Sequence, residues 1–234
     1  MYSYKTGIRP IDEVTGGLEP GSNILILAPP MSGAEKVGFV LARPREGEYT
    51  IILSTDQSSL ELTEDLMGSS VAKDHVGVID SITKMSTPDA VDTLRVKYIA
   101  SPSDLTGIGI KFSQLAESIF KGEFDRSGEL FPPPVRFYTN SLSTLLMYRK
   151  LEVLYQFLHV LNAKLKKMDA IGIYTLNSES FDERTISLMK QLMNLVIEIK
   201  EENDGGYLRI RGKPEIAPEW KKFHIEHDEL MVGP

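Results

Sequence analysis

The chain has 234 residues, of which 41% are hydrophobic and 25% charged, and its formal net charge is −7. These fractions lie near the globular average and exclude a disordered, collagen-like or coiled-coil chain. The sequence contains no cysteine, which excludes disulfide frameworks, thiolate metal sites and cysteine nucleophiles. Its acidic balance argues against nucleic acid as a partner, because that role needs a basic face.

No apolar run approaches the roughly 20 residues that span a bilayer, and residues 1–5 lack the apolar core of a signal peptide. We therefore expect a cytoplasmic protein with no membrane partner. The length fits one large domain, and we assign residues 1–234 to a single one.

Short apolar runs alternate with helical patterns along most of the chain. They lack the alternation of a half-exposed strand, which is typical of parallel sheets covered on both faces. The predicted strands are residues 23–27, 49–54, 76–80, 135–139, 170–175 and 195–199. Helical patterns span residues 104–121 and 145–167, and residues 83–103 carry no recognisable motif. The second helix places five leucines on one stripe: Leu151, Leu154, Leu158, Leu161 and Leu165.

The pattern changes toward the end of the chain. Asp204-Gly205-Gly206 predicts a hairpin between residues 196–200 and 207–211. Two further short strands, residues 222–226 and 230–232, predict an antiparallel ending. The predicted fold class is therefore α/β, with a mostly parallel central sheet and a β-rich C-terminal extension over about residues 196–234.

The first strand leads into a loop and a helical run, the arrangement in which P-loop proteins carry G-x-x-x-x-G-K-[ST]. Aligning that motif on Ser32-Gly33 places Ala28 at the first glycine, Ala34 at the lysine and Glu35 at the hydroxyl residue. Met31 stands where another glycine would let the backbone approach a ligand. A tight turn is a simpler interpretation of Ser32-Gly33 than nucleotide binding.

Several segments, in one order along the chain, resemble the KaiC/RecA/RadA-like ATPases. Residues 6–22 (TGIRPIDEVTGGLEPGS) are similar to the opening of that family, and residues 137–143 (FYTNSLS) to its Walker B strand, with Asn140 in place of the aspartate. Residues 192–198 and 223–225 resemble two later strands. The resemblance implies a RecA-like three-layer sandwich and, because relatives assemble as rings or filaments, a homo-oligomer or another protein as partner.

The same resemblance predicts that ATP hydrolysis is lost. In P-loop enzymes the lysine neutralises phosphate charge, and a hydroxyl and a carboxylate support magnesium. Ala34 supplies no cation, Glu35 adds a carboxylate and Asn140 is neutral. Lys36 is no substitute, since two helical positions rotate a side chain by roughly 200°.

We therefore expect a pseudo-ATPase that has lost the machinery for ATP hydrolysis and needs neither ATP nor magnesium. It would act through protein contacts, in a regulatory or scaffold role. The alternative is an ATP-binding protein or slow ATPase with a non-standard loop.

Two aspartates are weak candidates for residual chemistry. Asp56 follows the second strand, where relatives keep paired glutamates that activate water, although capping of the next helix is the preferred interpretation. Asp80 ends a run that reads superficially as a Walker B strand, so it is an alternative metal ligand.

Other polar residues carry weaker signals. His224 and His227 would point to opposite faces of a strand, which argues against a shared metal ion. Trp220 beside two lysines is interpreted as a solvated turn. Arg209 and Arg211 share one strand face and resemble the basic strand that faces a neighbour's nucleotide in ring-forming relatives.

Overall fold

The structure is a computed structural model that describes residues 2–62, 73–124, 132–226 and 229–233. The strands in this part of the chain are β1 (Asn23–Ala28), β2 (Tyr49–Ser54), β3 (Val76–Asp80), β4 (Val96–Tyr98), β5 (Val135–Thr139), β6 (Ile171–Asn177), β7 (Leu195–Glu202), β8 (Gly205–Arg211), β9 (Lys221–Glu226) and β10 (Glu229–Val232). The helices are α1 (Arg9–Thr15), α2 (Ala34–Ala42), α3 (Thr83–Ser86), α4 (Leu105–Phe120), α5 (Leu142–Tyr148), α6 (Leu151–Lys167) and α7 (Glu183–Gln191), and residues 59–62 are also helical. Within these described segments, no helix is both long and apolar enough to cross a bilayer.

The strands form one sheet in the order β10-β9-β8-β7-β1-β6-β5-β2-β3-β4. Every neighbouring pair from β7 to β4 is parallel, whereas β7 to β10 pair antiparallel. The predicted fold class is confirmed, including the antiparallel C-terminal strands.

Both faces of the sheet are covered by helices, which is why its central strands are apolar on both sides. Leu25 and Leu27 pack into a core beneath α4, α6 and α7. Ile24 and Ile26 point to the other face, into a core with α1 and α2. The result is a three-layer sandwich, in which the carboxyl ends of the parallel strands meet along one edge.

Two local predictions need correction. The helix predicted over residues 145–167 is two helices, because Arg149 and Lys150 have extended backbones and Arg149 Nε donates to Ser103 O at 2.6 Å. No proline or glycine marks this break, so the leucine pattern runs across it unbroken. Strand β4, within residues 83–103, was not predicted, since three half-buried residues at a sheet edge give no periodic signal.

A buried ion pair joins the N-terminal segment to the sheet. Arg136 of β5 points into the core beneath α2, and its side chain and that of Glu48 are both 0% exposed. Arg136 Nε and Nη2 donate to the Glu48 carboxylate at 2.5 and 2.9 Å, while Nη1 and Nη2 also donate to the carbonyls of Leu41 and Lys5, each at 2.8 Å. The hydroxyl of Tyr2 donates to the same carboxylate. Each ion therefore has several hydrogen-bond partners inside the core.

The free energy of unfolding should fall further when one ion of this pair is removed than when both are removed. In Arg136→Met the Glu48 carboxylate stays buried without its cation, so we expect the free energy of unfolding to fall by about 3–5 kcal/mol. The double variant Arg136→Met/Glu48→Leu, which removes both charges, should lose less stability than Arg136→Met alone. Urea denaturation measures the free energy of unfolding of both variants. The control is Arg9→Met, which breaks an ion pair with Glu13 in which the two side chains are 70% and 60% exposed. Its free energy of unfolding should fall by less than about 1 kcal/mol. Equal losses in the buried and exposed pairs would contradict this account.

Candidate functional site

A cleft of about 310 Å³ opens at the carboxyl ends of β1, β5 and β6. Its floor and one wall are residues 28–36, the loop after β1 and the first turn of α2. Residues at the end of β6 or after β2 and β5 complete it: Asp56, Asn140, Ser141, Ser143, Thr175, Leu176 and Asn177. Open α/β sheets bind their ligands in this position, so this cleft is the candidate site.

The loop turns sharply through two residues in the left-handed backbone region. Met31 has φ +59° and Gly33 has φ +76°. The Ser32 hydroxyl donates to the carbonyl of Pro29 at 2.7 Å and closes the turn. Gly33 occupies the N-cap of α2 and therefore provides no side-chain cap for its first amides. The conformation at position 31 is one that glycine prefers, yet the residue is a methionine whose side chain is 96% exposed.

Asp56 and Asn140 meet at the far wall of the cleft. The side-chain amide of Asn140 donates to the Asp56 carboxylate. The side-chain oxygen of Asn140, Oδ1, accepts hydrogen bonds from the backbone N–H and the hydroxyl of Thr55, each at 3.0 Å. These bonds fix the orientation of the Asn140 side chain. Desolvation raises the pKa of Asp56, and the hydrogen bond from Asn140 offsets part of that shift.

Asp80 lies outside this cleft. Its carboxylate accepts from the amides of Ser59, Ile82 and Thr83 at 2.6–2.9 Å and from the Thr83 hydroxyl at 2.6 Å. Burial works to raise the pKa of Asp80, but these hydrogen bonds outweigh it and hold the pKa below its ordinary value. The carboxylate thus organises the connection after β3, away from the residues that align with the P-loop.

The structure brings together Ala28, Met31, Ser32, Gly33, Ala34, Glu35, Asp56 and Asn140, all of which line the cleft. Lys36 borders it too, although its helical position predicted that it would point away. The cleft extends along Ala34, Glu35 and Lys36, the first three residues of α2, whereas the next residue, Val37, is buried in the core. The sequence did not identify Ser141, Ser143, Thr175 and Asn177 as residues of the site. Each lies at the end of a parallel strand or just after one, and this position could have indicated them.

The remaining candidates lie elsewhere. Arg209 and Arg211 both contact the Glu198 carboxylate, and the Arg209 guanidinium lies 4.4 Å from the centre of the Trp220 ring. Trp220 is therefore a packed residue, which corrects its interpretation as a solvated turn. His224 is 68% exposed, and His227 lies outside the described residues. Among the residues that the structure describes, no three His, Asp or Glu side chains are grouped to hold a metal ion.

The layered sheet and the loop after its first central strand define a RecA-like α/β fold. Comparison with solved structures agrees: the chain is similar to the crystal structure of a KaiC-like protein from the hyperthermophilic archaeon Pyrococcus horikoshii OT3. The TM-score is 0.67 at 15% sequence identity, over 100% of this chain and 99% of that one. At this identity the similarity establishes the fold.

Sequence comparison gives the family. The model of a family of unknown function (DUF7504) matches residues 21–199, and the chain belongs to that family. No curated protein matches the sequence.

The left-handed turn at Gly33 should resist a side chain for conformational reasons alone. A Cβ at Gly33 or at Gly109 would meet no atom within 4 Å, but Gly33 has φ +76° whereas Gly109 lies inside α4. We expect Gly33→Ala to lower the free energy of unfolding by about 1 kcal/mol and Gly109→Ala to raise it by up to about 1 kcal/mol. Urea denaturation measures the free energy of unfolding of the two variants. If both variants gained or both lost stability, the left-handed conformation of Gly33 would be contradicted.

Asp56 should make stability fall as pH rises. Its pKa is raised in the folded state, so the folded protein holds the proton more tightly and loses stability as pH climbs past the ordinary aspartate pKa. Asp56→Asn should therefore raise the melting temperature at pH 7, with the gain fading at low pH.

Asp182 is the opposite control for this pH dependence. Its carboxylate caps α7 by accepting from Thr185, which lowers its pKa, so its contribution is present at neutral pH and lost as pH falls. Asp182→Asn should lower the melting temperature at pH 7, with the loss fading at low pH. Thermal melts from pH 3 to 8, a range that brackets the ordinary aspartate pKa of about 3.9, measure the change in melting temperature of both variants. A lower melting temperature for Asp56→Asn at pH 7 would contradict a raised pKa of Asp56.

Proposed function

We propose that this protein is a KaiC-like domain that does not hydrolyse ATP and acts by binding other proteins, in a regulatory or scaffold role. The observation that carries the proposal is the charge of the cleft. Glu35 and Asp56 line it, and Lys36 is the single cation among the described lining residues. A site for a triphosphate needs the opposite balance.

The residues of the cleft do not fit ATP with magnesium. Ala34 places a methyl group at the position of the motif lysine, and Glu35 places a carboxylate at the position of the metal-binding hydroxyl. Asn140, at the Walker B position, donates a hydrogen bond from its side-chain amide to the Asp56 carboxylate. Burial raises the pKa of Tyr138 beneath the loop, and the charges of Glu35 and Asp56 raise it further, in keeping with a negative potential here. We derive no phosphoryl-transfer step through this cleft.

A binding role is supported by the rim of the cleft. Met31 belongs to the loop that lines the cleft and projects from it with 96% of its surface exposed. Methionine is flexible and polarizable, and it recurs at surfaces that adapt to protein partners. The turn holds Met31 outward at a conformational cost, which a purely structural loop would avoid by using glycine.

ATP should not stabilise the natural protein. A ligand that binds the folded state raises stability by RT ln(1 + [L]/Kd), so about 1 mM magnesium-ATP should leave the melting temperature unchanged. In the variant Ala34→Lys/Glu35→Thr, which restores a cation and a hydroxyl, the same ATP should raise it by about 3 °C or more. Differential scanning fluorimetry measures both shifts.

The control for this experiment is Ala163→Lys/Glu152→Thr, which makes the same two chemical changes at exposed positions of α6. It should show no shift with ATP. ATP-dependent stabilisation of the natural chain, together with phosphate release, would refute the proposal and favour the slow ATPase.

A further inference from the structure

Strand β4 forms one edge of the sheet, and the segment before it covers that edge. The carbonyl of Arg95 and the amide of Ile99 bond to β3, at 2.7 and 3.0 Å. Hydrogen-bonding groups alternate in direction along a strand, so the backbone groups of Val96 and Tyr98 point away from the sheet. An outward row of N–H and C=O groups is a template for a further strand.

The segment before β4 bonds to these outward groups in place of a strand. We call residues 87–94 the strap. The amide of Thr93 donates to the Val96 carbonyl at 2.8 Å, and the Thr93 hydroxyl accepts from the Val96 amide at 3.0 Å. The Asp92 carboxylate accepts from the Tyr98 amide at 2.9 Å. The strap thus satisfies three backbone groups that a neighbouring strand would otherwise bond.

Two lysines hold the strap against the strand. The Lys111 ammonium of α4 contacts the Asp92 carboxylate at 2.7 Å, and the Lys97 ammonium donates to the Thr93 carbonyl at 2.7 Å. Burial works to raise the pKa of Asp92, but the hydrogen bonds from Lys111 and Tyr98 and the charges of both lysines outweigh it and hold the pKa below its ordinary value. The negative charge of the strap is therefore placed beside two cations.

The strap is held by these polar contacts and not by the core. None of its residues is buried, and Val91 and Leu94 are 77% and 44% exposed. A segment that buries no apolar side chain opens at a low cost in free energy, because opening it breaks only a few hydrogen bonds. By contrast, Ile99, which follows β4, is 3% exposed and packs in the core beneath α4. The strap can therefore leave while β4 stays paired with β3.

We propose that β4 is a strand-addition site that the strap closes, and that its partner is an extended acidic segment of another protein. That segment would take the amides of Val96 and Tyr98 with its own carbonyls. One of its carboxylates would replace that of Asp92 beside Lys111. None of these residues lines the cleft, so the inference goes beyond the proposed function and does not depend on the loss of ATP hydrolysis.

Charge selects this partner. When the strap leaves, both of its carboxylates leave with it, whereas Lys97 on β4 and Lys111 on α4 stay in place. Arg95, the remaining cation beside β4, keeps its ion pair with Asp74 at 3.0 Å. A second copy of the chain fits less well, because an antiparallel pair of β4 strands bonded through their outward groups sets Lys97 opposite its own copy.

The test follows the binding of a fluorescent peptide of alternating glutamate and valine to the full chain by fluorescence anisotropy. The natural chain binds only when its strap is open, which weakens its apparent affinity. Asp92→Ala removes the bond from the strap to Tyr98, so this variant should bind at least about tenfold more tightly. Asp89→Ala is the matched control, because it removes the same charge at an exposed residue of the strap outside these bonds. The peptide with glutamine in place of glutamate should bind more weakly to every variant.

A proline variant and hydrogen exchange locate the effect at the strand edge. Proline lacks an N–H and is tolerated at a sheet edge, so Asp92→Ala/Tyr98→Pro should lose the gain in affinity. In the natural chain, the Tyr98 amide should exchange at least about tenfold faster than the Ile99 amide, because the strap opens without β4.

The proposal is overturned by equal exchange of these two amides, by a gain in affinity that survives Tyr98→Pro, or by equal binding of the two peptides. Equal peptide affinity in Asp92→Ala and Asp89→Ala would also overturn it, since the strap would then only protect the edge. A dimer of Asp92→Ala would show that a second copy takes the edge and not an acidic segment. The ATP titration reports on the cleft, so this inference and the proposed function can fail separately.

Discussion

The ion pair between Arg136 and Glu48 connects segments that are far apart in the chain. Through its hydrogen bonds it joins β5, the carbonyl of Lys5 in the N-terminal segment and the carbonyl of Leu41 near the end of α2. Two charges buried at 0% exposure would be costly alone, so the elements that satisfy them are held together. The orientation of α2, and with it the loop at its beginning, depends on this network.

The shape of the cleft comes from close packing behind that loop. A Cβ at Gly38 would lie 2.2 Å from the Tyr138 hydroxyl oxygen, so α2 sits directly against β5 only because this position is glycine. The charge of the cleft comes instead from Glu35, Lys36 and Asp56, none of which belongs to the hydrophobic core. The residues that set the fold and those that set the charge of the cleft are therefore different, so on our proposal the RecA-like fold persists without ATP hydrolysis.

The described residues that line the cleft include more carboxylates than cations. Glu35 and Asp56 line it, Lys36 is the single cation among the described lining residues, and Met31 projects from its loop. A second ionic cluster lies on β7 and β8, where Lys190, Arg209 and Arg211 share the carboxylate of Glu198. On our proposal, the domain retains the rigid scaffold of its fold and uses the surface around the cleft to contact another protein.

The sequence by itself determined the central strands, the parallel sheet and the antiparallel ending, because continuous apolar runs and a hairpin signal are local properties. It also identified the loop from Ala28 to Glu35 by its spacing. The tertiary structure alone decided that Asn140 contacts Asp56, that Asp80 is bound by backbone amides outside the cleft, and that Lys36 borders it. It also revealed the break at Arg149 and the packing of Trp220 beneath Arg209. These depend on contacts between residues distant in sequence, where the geometry of packing, and not local periodicity, sets which side chains meet.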